Sequence, residues 1–127
     1  MPRYERDEAP NGPVVTGFTA GGGFKVRDTV YEAGLLLTPD TAIGWAPGAL
    51  DTLAPGDLGP LLALDPLPEF ILLGTGSALR RPSPAFTAAI EAQGIGLEIM
   101  DSRAAARAWG LLRGEGRWIG AALLPLV

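Results

Sequence analysis

Residues 70–76, Phe-Ile-Leu-Leu-Gly-Thr-Gly, and residues 94–102, Gly-Ile-Gly-Leu-Glu-Ile-Met-Asp-Ser, decide how this chain is read. The first is an unbroken apolar run that stops at a glycine turn, as a strand covered on both faces would. In the second, Ile95, Leu97 and Ile99 alternate with Glu98 and Met100, the period-two pattern of a strand. Between them Ser83-Pro84 opens a helix, a capping hydroxyl followed by proline at the first helical position. Phe86, Ala89, Ile90 and Gln93 share one face of that helix, and Gly94 stops it. A second helix follows, with Ser102 read as its cap and Ala105, Ala108, Trp109 and Leu112 as its buried stripe. Gly114 to Gly116 breaks it, and the nearly all-apolar Trp118 to Leu124 is then the natural central strand. Strands alternating with helices imply crossover units and a mixed, mostly parallel central sheet.

The preceding half is read with the same signals. Val14 to Ala20 and Phe24 to Val26 flank Gly21-Gly22-Gly23, which predicts a short hairpin. Val30 to Leu37 is one apolar stretch closed by Thr38-Pro39-Asp40, and Ala42 to Trp45 forms a strand across that turn. Residues 46–57, rich in Pro, Gly and Asp, read as loop. Leu58, Leu61 and Leu62 have the spacing of a short helix, with Asp57 as its cap and Pro66 as its stop. Residues 1–12 read as a flexible, solvated N-terminal arm, leaving 13–127 as a single α/β domain of ordinary size.

Composition narrows the chemistry. The chain has 47% hydrophobic residues, enough for a core, and its 18 glycines and 12 prolines stand as punctuation between apolar runs. It has no cysteine and no histidine, which removes disulfides, thiol nucleophiles, His or Cys metal sites and every Ser-His-Asp mechanism. No metal or other cofactor is expected. A formal charge of −4 argues against nucleic acid, whose phosphates want a basic face. The polar, charged start carries no secretory signal or transit pattern, and no apolar run approaches the ~20 residues of a membrane span, so a cytoplasmic protein of bacterial type is expected.

Two strand ends could carry a site, because ligands of open α/β sheets gather beyond the carboxyl ends of the strands. One is Gly74-Thr75-Gly76 and the other Asp101-Ser102. Amides at the start of the second helix would favour an anion there, with Arg80 or Arg81 closing over it and Arg107 one turn further on. The glycine turn lacks the third glycine of a dinucleotide fingerprint, and the chain has no phosphate loop, so a tight structural turn is the leading reading. Glu98, Glu115 and Arg117 are read as a structural charge network. Tyr31 and Trp45 are candidates for a partner surface, with core or edge packing as the plainer reading.

Taken in order, Gly74-Thr75-Gly76, Arg80 or Arg81 with Pro82, Gly94 to Ser102, Ala105 and Arg107, and Glu115-Gly116-Arg117 before the last strand resemble a known family. It comprises small single-domain proteins that include mitochondrial complex I assembly factor 3 and the adipogenesis-associated domain protein. The family tends to have threonine where Ser102 stands, and Thr, an aromatic and Asn where this chain has Ala108-Trp109-Gly110. The resemblance implies a three-layer α/β domain with an extra N-terminal β-hairpin, and no established reaction or catalytic residue.

These readings converge on a non-enzymatic protein-binding domain, in the role of an assembly or maturation factor for a membrane respiratory complex. Its partner would be another protein, met peripherally at the membrane, with a homo-oligomer as a further form of self-recognition. The alternative is a small-molecule or anion-binding protein, or an enzyme, with a pocket formed by Gly74, Thr75, Gly76, Arg80, Asp101, Ser102 and Arg107.

Overall fold

A computed structural model of the protein describes residues 12–127. The expected arm lies outside the described residues, Gly12 excepted. The first elements are three short strands, β1 (Gly17–Phe18), β2 (Phe24–Val26) and β3 (Thr29–Tyr31). They pair antiparallel in the order β1-β2-β3, so the predicted hairpin gains a third strand. Arg27 has a φ of 54°, making the turn between β2 and β3.

The apolar stretch Val30 to Leu37 does not form one strand. It breaks at Gly34 into β3 and β4 (Leu35–Leu37), which belong to different sheets. Gly34 sits at φ 154°, and a side chain there would meet the Trp45 carbonyl oxygen at 2.8 Å, so only glycine lets the chain cross over. β5 (Ala42–Gly44) returns antiparallel to β4, as read from the Thr38-Pro39-Asp40 turn. Thr38 holds that turn, its hydroxyl accepting the amides of Asp40 and Thr41 at 3.2 and 2.9 Å.

The segment read as loop contains two short 3-10 turns, Leu50–Thr52 and Pro55–Leu58, before α1 (Gly59–Leu62). Asp57 accepts the Ala54 amide at 2.9 Å, so it closes the turn before α1 rather than capping that helix. There follow β6 (Phe70–Gly74), α2 (Pro84–Glu91), β7 (Gly96–Met100), α3 (Ser102–Gly114) and β8 (Gly120–Leu123). The Ser83 hydroxyl accepts the Phe86 amide at 3.1 Å with Pro84 at the helix start, the arrangement the sequence predicts.

The larger sheet has five strands in the order β5-β4-β8-β6-β7, with β8 at its centre as its apolar sequence requires. β6 pairs parallel with β7 and β8, whereas β4 pairs antiparallel with β5 and β8. The sheet is therefore mixed in equal parts, not mostly parallel. The antiparallel half arises because β4 and β5 are joined by a tight turn and lack a crossover helix. Alternate residues divide the core. Leu36, Ile71, Leu73 and Ala122 pack with α1 and α2 through Leu61, Phe86 and Ile90. Leu35, Leu37, Leu72, Ala121 and Leu123 face α3 and the small sheet through Trp109, Ala105, Phe24 and Val26. The described residues thus form a mixed α/β domain with two sheets and three α-helices.

Candidate functional site

β6, β7 and β8 point the same way, so the segments that leave them open on one edge. Thr75 and Gly76 follow β6, Asp101 and Ser102 follow β7, and Leu124 and Pro125 follow β8. The structure therefore brings both predicted turns together and adds a third, from the end of the chain.

The helix cap falls one residue earlier than read. Asp101 occupies it, its Oδ1 accepting the Ala104 amide at 2.9 Å, and Ser102 is the first residue of α3. This frees the Ser102 hydroxyl for a longer-range task. It is fully buried, donates to the Leu124 carbonyl at 2.6 Å and accepts the Gly76 amide at 2.9 Å. The Ser102 amide in turn donates to Gly76 O at 2.8 Å, and the Leu124 amide to Gly74 O at 2.9 Å. One hydroxyl thus ties the ends of three strands.

Thr75 is used in the same inward way. Its amide donates to Met100 O at 2.9 Å, while its hydroxyl donates to Ala78 O at 2.7 Å and accepts the Arg80 amide at 3.0 Å. Gly74 is glycine for space, since a Cβ there would lie 2.8 Å from Ser102 Oγ and 2.9 Å from Ser102 Cα. Gly76 is glycine for conformation, at φ 98°. The Gly-Thr-Gly turn and Ser102 form a hydrogen-bonded knot whose polar groups look into the protein. Placed so, the Ser102 hydroxyl serves the backbone, its proton held by the Leu124 carbonyl.

Outside the knot lies a cleft of about 230 Å³. Thr75, Gly76 and Arg80 line it, with Pro47, Leu50 and Pro125 among its other walls. Asp101, Ser102 and Arg107 are not among its lining residues. The Arg80 side chain is exposed and makes no hydrogen bond or ion pair among the described residues. Arg107 projects from the exposed face of α3. Among the described residues, no group of three His, Cys, Asp or Glu could hold a metal ion.

The charged residues sort differently from the sequence reading. Arg117 reaches Glu69, with Nη2 at 2.7 Å and Nε at 3.2 Å from Oε1. The hydrogen bond from Arg117 holds the Glu69 carboxyl below its ordinary range, and Glu69 holds the guanidinium above its own. Glu115 contributes attraction to Arg117 from the end of α3, whereas Glu98 stands exposed on β7. Glu69 was legible in principle. It immediately precedes β6 and Arg117 lies just ahead of β8, and these are parallel neighbours whose starts lie side by side. Tyr31 and Trp45 meet along one shallow groove beside Gly44, both partly buried.

The family described as protein of unknown function (DUF498/DUF598) matches residues 17–124. The chain belongs to this family. An uncharacterized protein of Rhodobacter capsulatus is 33% identical over 105 residues, covering 83% of this chain and 79% of that one. The mouse NADH dehydrogenase [ubiquinone] 1 alpha subcomplex assembly factor 3 is 29% identical over 103 residues. That match covers 81% of this chain, which spans 56% of the mouse protein's length. The fold is shared with a Mth938-like domain from Bordetella pertussis, at a TM-score of 0.79 and 23% identity, covering 98% of this chain and 92% of that one. Among the described residues, no helix is long and apolar enough to cross a membrane.

Proposed function

We propose that residues 13–127 act as a non-enzymatic protein-binding domain, an assembly or maturation factor for a membrane-bound respiratory complex met from the cytoplasm. The observation that carries this reading is the inward use of polar groups at the strand ends. Ser102 and Thr75 spend their hydroxyls on backbone partners, so neither is free to react at the edge where an α/β enzyme would hold its reacting groups. The mouse relative's name as an assembly factor supplies the role. The test is a pull-down of the tagged protein from its own host under mild crosslinking. Recovery of a subunit or assembly protein of the respiratory complex supports the reading, and a clean protein that turns over a small molecule overturns it.

A second reading is favoured by Arg80, an exposed cation at the mouth of the strand-end cleft. In it the cleft takes a small anion against Arg80 and the Gly76 turn, with no part for Arg107. Titration with inorganic phosphate should then shift the Gly76 and Arg80 amide resonances, and Arg80→Ala should abolish the effect. Amides that stay in place across the titration remove this reading.

A further inference from the structure

Among the described residues, β7 is an outer strand of the five-stranded sheet and pairs on one side only, with β6. The Gly96 amide donates to Glu69 O and the Met100 carbonyl accepts from Thr75. In a parallel ladder alternate residues of a strand bond to the same neighbour. Gly96, Glu98 and Met100 therefore bond inward to β6, and the N–H and C=O groups of Leu97 and Ile99 point away from the sheet. Such a free row is a template for a further strand.

Beside this edge runs a groove of about 530 Å³, walled by Arg81, by Pro84, Thr87, Ala88 and Glu91 along α2, and by Ile99. A helix crossing between two parallel strands runs opposite to them. Arg81 thus stands by the carboxyl end of β7 and Glu91 by its amino end, with an apolar floor between opposite charges. Glu98 stands exposed at the middle of the strand, on the other face.

Glu98 also discriminates between occupants. A second copy pairing antiparallel through the middle of β7 would set Glu98 against Glu98, and like charges directly opposite are destabilising. The same carboxylate attracts a basic residue on an incoming strand. We propose that the β7 edge accepts an extended segment of a partner protein as an added strand. A Lys or Arg of that segment lies opposite Glu98 and an apolar residue fills the groove beside Ile99. This rests on the protein-binding reading and names its mode, strand addition to an open edge.

The experiment titrates the labelled protein with a synthetic peptide of alternating Val and Thr carrying a central Lys. The Leu97 and Ile99 amides should shift and gain protection from exchange. Glu98→Lys, an exposed change checked for folding by its amide spectrum, should bind this peptide about ten-fold more weakly, or about 1.4 kcal/mol. It should prefer the same peptide with a central Glu. No binding, binding that leaves Leu97 and Ile99 unmoved, or equal binding by wild type and Glu98→Lys overturns the inference. Crosslinking in the host separates it from the broader reading. A respiratory-complex partner captured equally by wild type and Glu98→Lys keeps the assembly role and refutes the β7 edge. No host partner, with the peptide seated on β7, keeps the edge and refutes the assembly role.

Discussion

Ser102→Ala tests the knot that joins the three strand ends. The change removes one oxygen from a fully buried position and leaves two orphans, the Gly76 amide and the Leu124 carbonyl. A buried backbone group stripped of its partner costs about 1–3 kcal/mol. Alanine offsets a few tenths of a kcal/mol through its better helix propensity at the start of α3. The net loss expected is about 2–5 kcal/mol, a large share of the ~5–15 kcal/mol that holds a domain together. In a chain of this size each kcal/mol lowers the melting temperature by about 4 °C, so a fall of roughly 8–20 °C should appear by calorimetry. Hydrogen exchange gives the local signature. The Gly76 amide should lose protection far beyond the global change, while the inward β8 amides follow the global loss alone. An unchanged melting temperature with Gly76 still protected would show that the Ser102 hydroxyl does not bind the strand ends, and the structural account of Gly-Thr-Gly would fall with it.

Gly74→Ala drives a methyl to within 3 Å of Ser102 Oγ and Cα and of Leu123 Cδ2, so chemical denaturation should report a loss of about 1–3 kcal/mol or more. Gly94→Ala, with open space around it and φ at 82°, should lose only about 1–2 kcal/mol, from the left-handed backbone alone. Trp109→Phe breaks the bond from Nε1 to the Pro13 carbonyl, 2.8 Å across 96 residues of sequence, and should cost about 1–3 kcal/mol with the Pro13–Val15 segment opening first in hydrogen exchange. Arg117→Met should return the Glu69 carboxyl upward to its ordinary range, followed by NMR titration. Because the folded-state value of Glu69 is depressed, the pair's support is present above that range and fades as pH falls through the folded value, and Arg117→Met should flatten this acid limb.

Much of the second half was legible because each signal there is local. The apolar run ending at Gly74 and the Ser83-Pro84 helix start need no distant partner, and both elements form as read. The sequence misleads where two local choices are nearly equal and tertiary contact decides. Asp101 and Ser102 are both good caps, and Asp101 takes the role because Leu124, 22 residues on, claims the serine hydroxyl. On α3 the expected stripe of Ala105, Ala108, Trp109 and Leu112 turns towards Ala105, Ala106, Trp109 and Arg113. The arginine is buried there because it donates to the Arg117 carbonyl, a bond that no helical periodicity announces. Val30 to Leu37 misled for a related reason: hydrophobic pattern cannot show that one glycine hands the chain from one sheet to another. The cleft beside Thr75 was half legible. Thr75, Gly76 and Arg80 come from the motif, while Pro47, Leu50 and Pro125 are delivered by segments far away in sequence.

The distribution of spent and unspent polar groups is the strongest guide to how this fold works. At the strand ends, the backbone groups of Gly74, Gly76 and Leu124 and the hydroxyls of Thr75 and Ser102 satisfy one another, which makes that edge a clamp. The sheet's two outer strands are treated unequally. β5 has three residues, with the Tyr31 ring 3.5 Å from where a Gly44 side chain would begin, so it is short and flanked by an aromatic. β7 has five residues, an open row of backbone groups and a groove along α2. A lone carboxylate on an outer strand is a common defence against self-pairing. Here Glu98 stands midway along a strand whose neighbouring groove already separates a basic from an acidic end. That defence disfavours a second copy paired Glu98 to Glu98 without closing the edge to a basic partner, whereas a proline or a bulge would close it to every strand alike.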